Sequence, residues 1–318
     1  MGDVSAAPDR SRPLAWGFLA LAVATYGLIV LGALVRAHGA GLACPDWPLC
    51  FGRLVPPFDL RVAFEWSHRL LAGGVALGLA ALTALIVRRP AARERLRVPL
   101  RIAWSLLGAQ VLLGGATVLL QLAPWTVTAH LLVGNSLCLT LLWSTRTLFE
   151  ADAERAAPPE RAGAGARTLL LVTALLLALQ LTLGGLVSSH AAGLACPDFP
   201  SCDGRSWAPT LSGLIGLHVQ HRAVGFSLLA SYLALAWTTR GLPRTGALAR
   251  VGARLMLLQI VLGVANVLLR LPVELTALHS AVAAALVLVT GLVVREILRV
   301  RSPERRSRAA APQALEVP

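Results

Sequence analysis

The stretch Glu65–Arg69, which reads Glu-Trp-Ser-His-Arg, opens a long apolar run and decides how the rest of the chain is interpreted. A diverged copy at His218–Arg222, which reads His-Val-Gln-His-Arg, opens another apolar run about 150 residues later. Each copy places its fourth residue, a histidine, inside a membrane-length helix, where a polar side chain is costly and usually functional. His130 and His279 lie at the same depth in later apolar runs, so the chain carries two matching pairs of intramembrane histidines.

Composition assigns the chain to the membrane proteins. The 318 residues are 56% hydrophobic and only 14% charged, with a mean hydropathy of +0.69, values typical of a polytopic membrane protein. The formal charge is +13, and all 29 basic residues are arginine. They cluster between apolar runs, as the positive-inside rule predicts, and no basic, aromatic-bearing soluble domain is available for nucleic acid. The expected partner is therefore the lipid bilayer and not nucleic acid.

Eight apolar runs have the length of about 20 residues that a bilayer core requires. They predict an all-α integral membrane protein whose helices span residues 14–35, 64–87, 102–121, 126–149, 168–188, 212–238, 248–269 and 274–298. The first run is not interpreted as a signal peptide, because its counterpart at 168–188 lies in the middle of the chain.

The arginines also predict the orientation. Most lie in the N-terminal tail, in the stretches 88–101, 146–167 and 240–254, and in the C-terminal tail. The other seven lie in the alternate loops and helix mouths: Arg36, Arg53, Arg61, Arg69, Arg205, Arg222 and Arg270. We therefore expect a multi-pass protein of the cell membrane with both termini cytoplasmic. Three segments are predicted on that side, namely a tail at 1–13, a linker at 150–167 and a disordered tail at 299–318.

The two halves of the chain are a repeat. Residues 41–50 read Gly-Leu-Ala-Cys-Pro-Asp-Trp-Pro-Leu-Cys, and residues 193–202 read Gly-Leu-Ala-Cys-Pro-Asp-Phe-Pro-Ser-Cys. Each half holds four predicted spans, an even number, so both halves insert in the same orientation. The sequence therefore predicts two pseudo-symmetric four-helix bundles, at residues 14–149 and 168–298, related by an axis along the membrane normal.

Four of the five cysteines lie as pairs in two outward-facing loops: Cys44, Cys50, Cys196 and Cys202. The outer side of a bacterial membrane is oxidising, so we expect a disulfide within each loop. Such a bond serves either as a structural staple or in electron exchange with a partner thiol. A zinc site would require the two loops to converge. Cys138, in the middle of the fourth span, is expected to be a small buried apolar residue.

The four histidines are candidate axial ligands of two haem irons. The residue four positions after each is small, namely Ala72, Gly134, Gly225 or Ala283, and lies one turn deeper on the same helix face. That leaves room beneath each imidazole for a flat macrocycle, which two facing imidazoles would clamp in a bundle core. Zinc would need further ligands that are not evident here. Because all four histidines lie near the outer helix ends, the pattern argues against an electron conduit across the membrane.

These motifs together resemble the haem A synthases, the CtaA/Cox15 family. The resemblance rests on the Glu-x-x-His-Arg of the second span, its His-x-x-His-Arg counterpart in the sixth, the lone histidines of the fourth and eighth, and the cysteine loops. It covers about residues 14–298. It implies that the C8 methyl group of haem O is oxidised to a formyl group, giving haem A for terminal oxidase assembly. The substrate haem O would occupy the N-terminal bundle, and a resident haem b would occupy the C-terminal bundle.

The resemblance also implies roles for single residues. His68 and His130 would flank the substrate iron, and His221 and His279 would ligate haem b. Glu65 matches the essential acidic residue of the family, which makes it the candidate catalytic residue. The paired cysteines match the loop cysteines of the family.

The two halves differ at one informative position. Glu65 lies three residues before His68 on the same helical face, whereas His218 takes this place in the other half. A carboxylate can take protons from a substrate undergoing oxidation, which a resident electron-transfer haem does not need. The alternative is that Glu65 only pairs with Arg69 at i+4. Arg69 and Arg222, near the outer boundary, are expected to pair with haem propionates.

The expected partners are a haem O synthase as the haem donor, the terminal oxidase assembly, and an electron acceptor that is a quinone or a thiol protein. A homo-oligomer is compatible with the sequence. Two other functions stay open: a diheme quinol or thiol oxidoreductase with two permanently bound haems, and a transporter, which the repeat alone suggests. Mass analysis of extracted haems separates them, because only the synthase should carry haem O, its oxidised intermediates or haem A.

Overall fold

The computed structural model describes residues 12–152 and 160–298, which fold into eight α-helices. They are α1 (Arg12–Ala37), α2 (Leu60–Val87), α3 (Pro90–Leu119), α4 (Pro124–Asp152), α5 (Ala164–Ser189), α6 (Gly213–Thr238), α7 (Pro243–Leu268) and α8 (Val273–Leu298). One turn of 3-10 helix follows α5, and the described residues contain no β-strand. The all-α prediction is confirmed. Most of the predicted N-terminal tail, residues 153–159 of the linker and the tail at 299–318 lie outside the described residues.

The third helix begins well before its predicted start. The hydropathy predicts a span from residue 102, but α3 begins at Pro90. Its first turns carry Arg93, Arg95 and Arg97, whose charges hide this part of the helix from a hydropathy argument. Proline at the first helical position needs no amide hydrogen bond and therefore starts a helix readily. The other helices begin and end within five residues of the predicted bounds.

Seven of the eight helices are long and apolar enough to cross a membrane, one fewer than predicted. The exception is α6, which carries the polar run His218–Arg222 near its N-terminus. Polar and charged side chains lower the hydropathy of every window that includes them. The residues that give α6 its functional interest therefore also exclude it from a count based on composition. The seven spans make the chain a multi-pass membrane protein.

The start of α2 is fixed by a capping aspartate. Asp59 adopts an extended conformation, and its carboxylate accepts hydrogen bonds from the backbone amides of Arg61 (2.9 Å) and Val62 (3.3 Å). An acceptor at this position satisfies amide groups that the first turn leaves unpaired. The cap thereby places Glu65 in the second turn of α2 and His68 in the third.

The two halves of the chain meet along α1, α4, α5 and α8. Helix α1 packs against α2 and α4 of its own half and also against α8, while α4 packs against α3 and α5. Several hydrogen bonds cross this contact, two of them from aromatic side chains. The Tyr26 hydroxyl donates to the Ala281 carbonyl (2.9 Å), and the Trp143 indole donates to the Gly291 carbonyl (3.1 Å). Away from this contact, α6 packs closely on α7, whereas α2 touches α3 at few positions.

Ion pairs tie the helix ends opposite the cysteine loops. Arg295 of α8 binds Glu150 of α4 at 3.0 Å, and Arg244 of α7 binds Glu296 of α8 at 3.1 Å. Arg146 also reaches Glu150, at 3.3 Å. The glutamates are mostly shielded from solvent, so salt screens these pairs less than it screens pairs on a surface. The bonds fasten helices from both halves at the end predicted to be cytoplasmic.

Candidate functional site

Each of the four candidate haem-ligating histidines packs its ring against a glycine on the neighbouring helix. A Cβ atom built on any of these glycines would lie 3.1–3.3 Å from the Cε1 atom of the histidine, closer than Cβ atoms normally approach. Glycine therefore lets the helix and the imidazole come together without a steric clash. The four contacts are Gly32 with His68, Gly114 with His130, Gly184 with His221 and Gly263 with His279.

The Nδ1 atoms of the same four rings are buried and have no hydrogen-bond partner. Most buried polar atoms in proteins are paired, so four unpaired atoms at matched positions require an explanation. In each ring Cε1 and Nδ1 are the atoms nearest the glycine, and Nε2 lies farther from it. A ring held in this way is oriented for ligation through Nε2.

The histidines form two facing pairs. Those of the N-terminal half lie on α2 and α4, and those of the C-terminal half lie on α6 and α8, helices that do not pack along one another. His68 and His130 are close enough to interact electrostatically, as are His221 and His279. Across residues 12–152 and 160–298, no three His, Cys, Asp or Glu side chains converge as a metal site. Two imidazoles from different helices fit the axial ligation of one haem iron.

A glutamine side chain lies beside three of the four rings. The Gln110 amide nitrogen is 3.2 Å from His130 Nε2, and the Gln180 amide nitrogen is 3.5 Å from His221 Nε2. The carbonyl oxygens of both glutamines are buried without a partner. Carboxamides at this depth in an apolar helix are costly, and here they lie at the Nε2 atoms, so ligation of iron through Nε2 would replace these hydrogen bonds.

His68 is the ring without a glutamine at the corresponding place. Gln259 lies beside His279, and each of the three glutamines Gln110, Gln180 and Gln259 precedes a contact glycine by four residues. On α1 the residue four positions before Gly32 is Leu28. These contacts were not predicted, although the recurrence of Gln-x-x-x-Gly on α3, α5 and α7 is a sequence signal for them. The position that holds a glutamine on α3, α5 and α7 is therefore apolar on α1, the helix whose glycine contacts His68.

Glu65 and Arg69 hold the first cysteine loop onto α2. Glu65 is 5% exposed, and its Oε2 atom accepts a hydrogen bond from the Cys44 amide (2.8 Å). Its Oε1 atom pairs with the guanidinium of Arg69. Arg69 also donates to the backbone carbonyls of Cys44 (3.3 Å), Asp46 (2.7 Å) and Leu49. The pairing of Glu65 with Arg69 is therefore present, as one part of a larger set of bonds that orders the loop.

His218 and Arg222 make the corresponding contacts with the second loop. The Cys196 amide donates to Nδ1 of His218 (3.3 Å). Arg222 donates to the carbonyls of Cys196 (2.7 Å), Asp198 (2.8 Å) and Ser201 (3.2 Å). Both arginines thus direct donors to the loops. Their contact with haem propionates stays a prediction, as does the catalytic role of the carboxylate in the first half.

Both cysteine pairs lie at disulfide distance within their own loops. The sulfur atoms are 1.98 Å apart in Cys44–Cys50 and 2.06 Å apart in Cys196–Cys202. Cys138 is buried in α4, where its sulfur lies 3.4 Å from the Ala22 carbonyl of α1. The loops are therefore closed units, and the fifth cysteine is packed between helices.

An aspartate turn closes each loop. The backbone amides of Gly52 (2.8 Å) and Phe51 (2.6 Å) donate to the carboxylate of Asp46 and hold its pKa below the usual range. In the second loop the amide of Ser206 (2.6 Å) donates to Asp203 and lowers the pKa of that carboxyl in the same way. Both carboxylates are therefore charged at neutral pH, and their hydrogen bonds stabilise the two cysteine loops.

These features define a class of protein. The helices are long enough to cross a membrane, they carry two histidine pairs with a glycine behind each ring, and disulfides close the two cysteine loops. The chain is a polytopic membrane protein whose residues fit haem held between its helices.

Comparison with known proteins gives the family. Residues 15–290 match COX15-CtaA, the cytochrome oxidase assembly protein family, and the chain belongs to it. A protein of Shewanella oneidensis named heme A synthase is 31% identical, with 86% of this chain and 94% of that protein covered. Proteins of the same name are similar in Caulobacter vibrioides, at 26% identity over 88% of this chain and 95% of theirs, and in Halalkalibacterium halodurans, at 30% over 67% and 72%.

Proposed function

We propose that this protein is a haem A synthase that oxidises the C8 methyl group of haem O to a formyl group. The observation that carries the proposal is the set of four glycine-backed histidines in two facing pairs. They occur in a chain whose relatives are named heme A synthase. With water as the source of the formyl oxygen, converting a methyl group to a formyl group releases four electrons and four protons. The site must therefore hold the substrate, accept protons and pass electrons to an acceptor.

The proposal assigns a different task to each half. Residues 14–149 form a four-helix bundle for the substrate haem, and residues 168–298 form a related bundle in which His221 and His279 hold haem b. Haem b supplies a redox-active iron that accepts electrons one at a time. The matched histidine–glycine contacts and the matched loop anchors support a shared architecture. All eight helices, α6 included, cross the membrane, with both termini cytoplasmic and the histidine pairs toward the outer side.

The difference between Glu65 and His218 supports this division of tasks. Glu65 lies one turn from His68 on the same helix, and its bonds to Cys44 and Arg69 fix the position of its carboxylate. A carboxylate fixed beside a substrate that loses protons is suited to general base catalysis. In the C-terminal half His218 has no such substrate to serve and only holds the loop amide.

The partners follow from the reaction. A haem O synthase supplies the substrate, and terminal oxidase assembly consumes the product. The electrons leave to a quinone or to the disulfide of a thiol protein on the outer side, where the histidine pairs and the cysteine loops lie.

Haem extraction followed by mass analysis tests the function. The chain is expressed together with a haem O synthase in bacteria that lack their own haem A synthase, and membranes without the chain serve as the control. We expect haem A in the membranes that contain the chain, and haem b together with haem O or haem A on the purified protein. A protein that carries two haem b groups and forms no haem A is the diheme oxidoreductase instead.

A further inference from the structure

The helix pair α2 and α3 of the N-terminal half packs differently from its counterpart, α6 and α7, in the C-terminal half. In the N-terminal half a groove opens between α2 and α3, lined by Ala76, Trp104, Leu107, Gly108, Val111 and Leu112. In the C-terminal half α6 packs closely on α7, and the ring of Tyr232 on α6 lies against Gly252 of α7, where a built Cβ atom would lie 2.7 Å from the Cε1 atom of Tyr232. Tyr232 is 1% exposed, so the contact between α6 and α7 is closed.

Two substitutions between the repeats account for the groove. The alignment of the halves on their histidines pairs Ala76 with Leu229 and Gly108 with Leu257. Each pair places a small side chain in the N-terminal half where the C-terminal half has a leucine. A Cβ atom built on Gly108 meets no atom within 4 Å, and the same is true of Gly73 on α2. The groove therefore coincides with two positions at which the N-terminal half has the smaller side chain.

The groove lies directly beneath the histidine level. Ala76 is two turns deeper than His68 on α2, and Gly108 is nearly two turns deeper than Gly114 on α3, the glycine that backs His130. The lining is apolar, and the side of the groove toward the lipid includes Leu112, which is 74% exposed. The groove thus runs from the level of the substrate pair toward the middle of the membrane and opens sideways.

We propose that this groove binds the hydrocarbon tail of the substrate haem and is the lateral opening through which that haem passes between the lipid and the N-terminal pair. The inference rests on the proposed function, since it requires the N-terminal pair to hold haem O. Haem O carries a long isoprenoid tail, which partitions into apolar surroundings in the same way as a lipid chain. A sideways route leads the tail through lipid only, whereas a route through the outer loops would expose it to water.

The closed C-terminal half matches the resident haem. Haem b has no isoprenoid tail, so its bundle needs no groove, and Leu229 and Met256 pack with Tyr232 in one apolar cluster. Met256 is 1% exposed, and it aligns with Leu107 in the wall of the groove. The same helix pair is therefore open in the half assigned to a tailed haem and closed in the half assigned to a haem without a tail.

The test introduces into the groove the larger residues that the C-terminal half has at the matching positions. The double variant Ala76→Leu/Gly108→Leu gives the groove the two residues that the other half has, and Gly108 has free space for the larger side chain. The variant Gly27→Leu is the matched control, because Gly27 on α1 is also exposed with no atom within 4 Å of a built Cβ. The purified proteins, in lipid nanodiscs and loaded with resident haem b, are titrated with haem O and separately with additional haem b.

We expect the affinity for haem O to fall by about tenfold or more in the double variant, because the tail loses its apolar contact area. Binding of the additional haem b should change less than about twofold, and the spectrum of the resident haem should stay unchanged. Equal losses for the two haems, or no loss for haem O, would overturn the proposal. If the wild-type protein prefers the tailed haem but does not convert it to haem A, the groove assignment stands and the proposed function fails.

Discussion

Beneath the histidines, the N-terminal half packs leucines where the C-terminal half packs hydrogen-bonded polar side chains. The Tyr232 hydroxyl of α6 is hydrogen-bonded to the Thr290 hydroxyl of α8, and both side chains are buried. The repeat aligns these residues with Leu79 and Leu141, which belong to the apolar core of the first half. A buried hydroxyl pair requires one geometry, since a broken bond leaves polar atoms unpaired in an apolar interior.

The same difference recurs one residue earlier in the repeat. Thr173 of α5 and Ser231 of α6 are joined by a hydrogen bond of 2.6 Å. In the first half Leu21 lies against Gly78 instead. Leucine contacts tolerate small shifts better than directional bonds do. This difference is consistent with the proposed division of tasks, in which the C-terminal half holds a resident haem and the N-terminal half holds a substrate that is exchanged.

The largest expected effect concerns the residue that precedes each histidine by three positions. Glu65→Gln should lower haem A formation by roughly 10²–10⁴-fold, because glutamine still accepts the loop amide but cannot take a proton. The matched change His218→Gln should leave most of the activity. The ratio of haem O to haem A in cells with a haem O source measures both variants. Conversion at the wild-type level by Glu65→Gln would reduce its role to holding the loop.

The second prediction tests the glycine contacts. Gly184→Val places a branched side chain where a Cβ alone would lie 3.1 Å from His221. The displaced ring should retain haem b roughly 10–100-fold less tightly, as changes around metal ligands typically do. Gly27→Val, in open space on α1, is the control and should keep full haem b content. The measurement is the amount of haem b per polypeptide, read from the reduced-minus-oxidised spectrum. Equal haem content in the two variants would show that the contact between Gly184 and His221 does not position the ring.

The third prediction concerns the loops, where the two halves should behave alike. Replacing both cysteines of either loop with serine should cost about 2 kcal/mol, because each bond closes only a short loop. Limited proteolysis should then cut the altered loop faster while the helices stay folded. If the Cys44/Cys50 variant stops haem A formation with its loop still resistant to protease, the pair exchanges electrons and is not a simple staple.

The smallest expected effect concerns the polar pair of the C-terminal half. Tyr232→Phe removes one buried hydrogen bond and should lower stability by about 1 kcal/mol. Thermal unfolding of the purified wild-type and variant proteins in one detergent measures the change. An unchanged midpoint for Tyr232→Phe would mean that the hydroxyl does not fasten the bundle.

Part of this arrangement was predictable from the sequence, because hydropathy and residue spacing determine the helices and the depth of each histidine. The early start of α3 at Pro90 was not, since its arginines mask the helix. The contact glycines Gly32 and Gly184 were also missed. A helix that is apolar on all sides does not reveal which face meets its neighbour, and only the packing selects it.

The bonds of Glu65 could not be predicted from residue spacing alone. Its partner at i+4, Arg69, follows from helical geometry, but the Cys44 amide lies 21 residues away in sequence. That contact depends on how the loop folds back over α2. The four histidines could therefore be named from the sequence as candidate ligands, whereas the contacts that orient them could not.

The central claim is that the C-terminal pair holds a resident haem and the N-terminal pair holds the substrate. The most direct test purifies two double variants, His68→Ala/His130→Ala and His221→Ala/His279→Ala, from cells that make haem O, and identifies the haems on each by mass. We expect the first variant to keep low-spin haem b and to carry neither haem O nor haem A, whereas the second variant should lose haem b. A first variant without haem b, beside a second variant that retains it, would contradict the account.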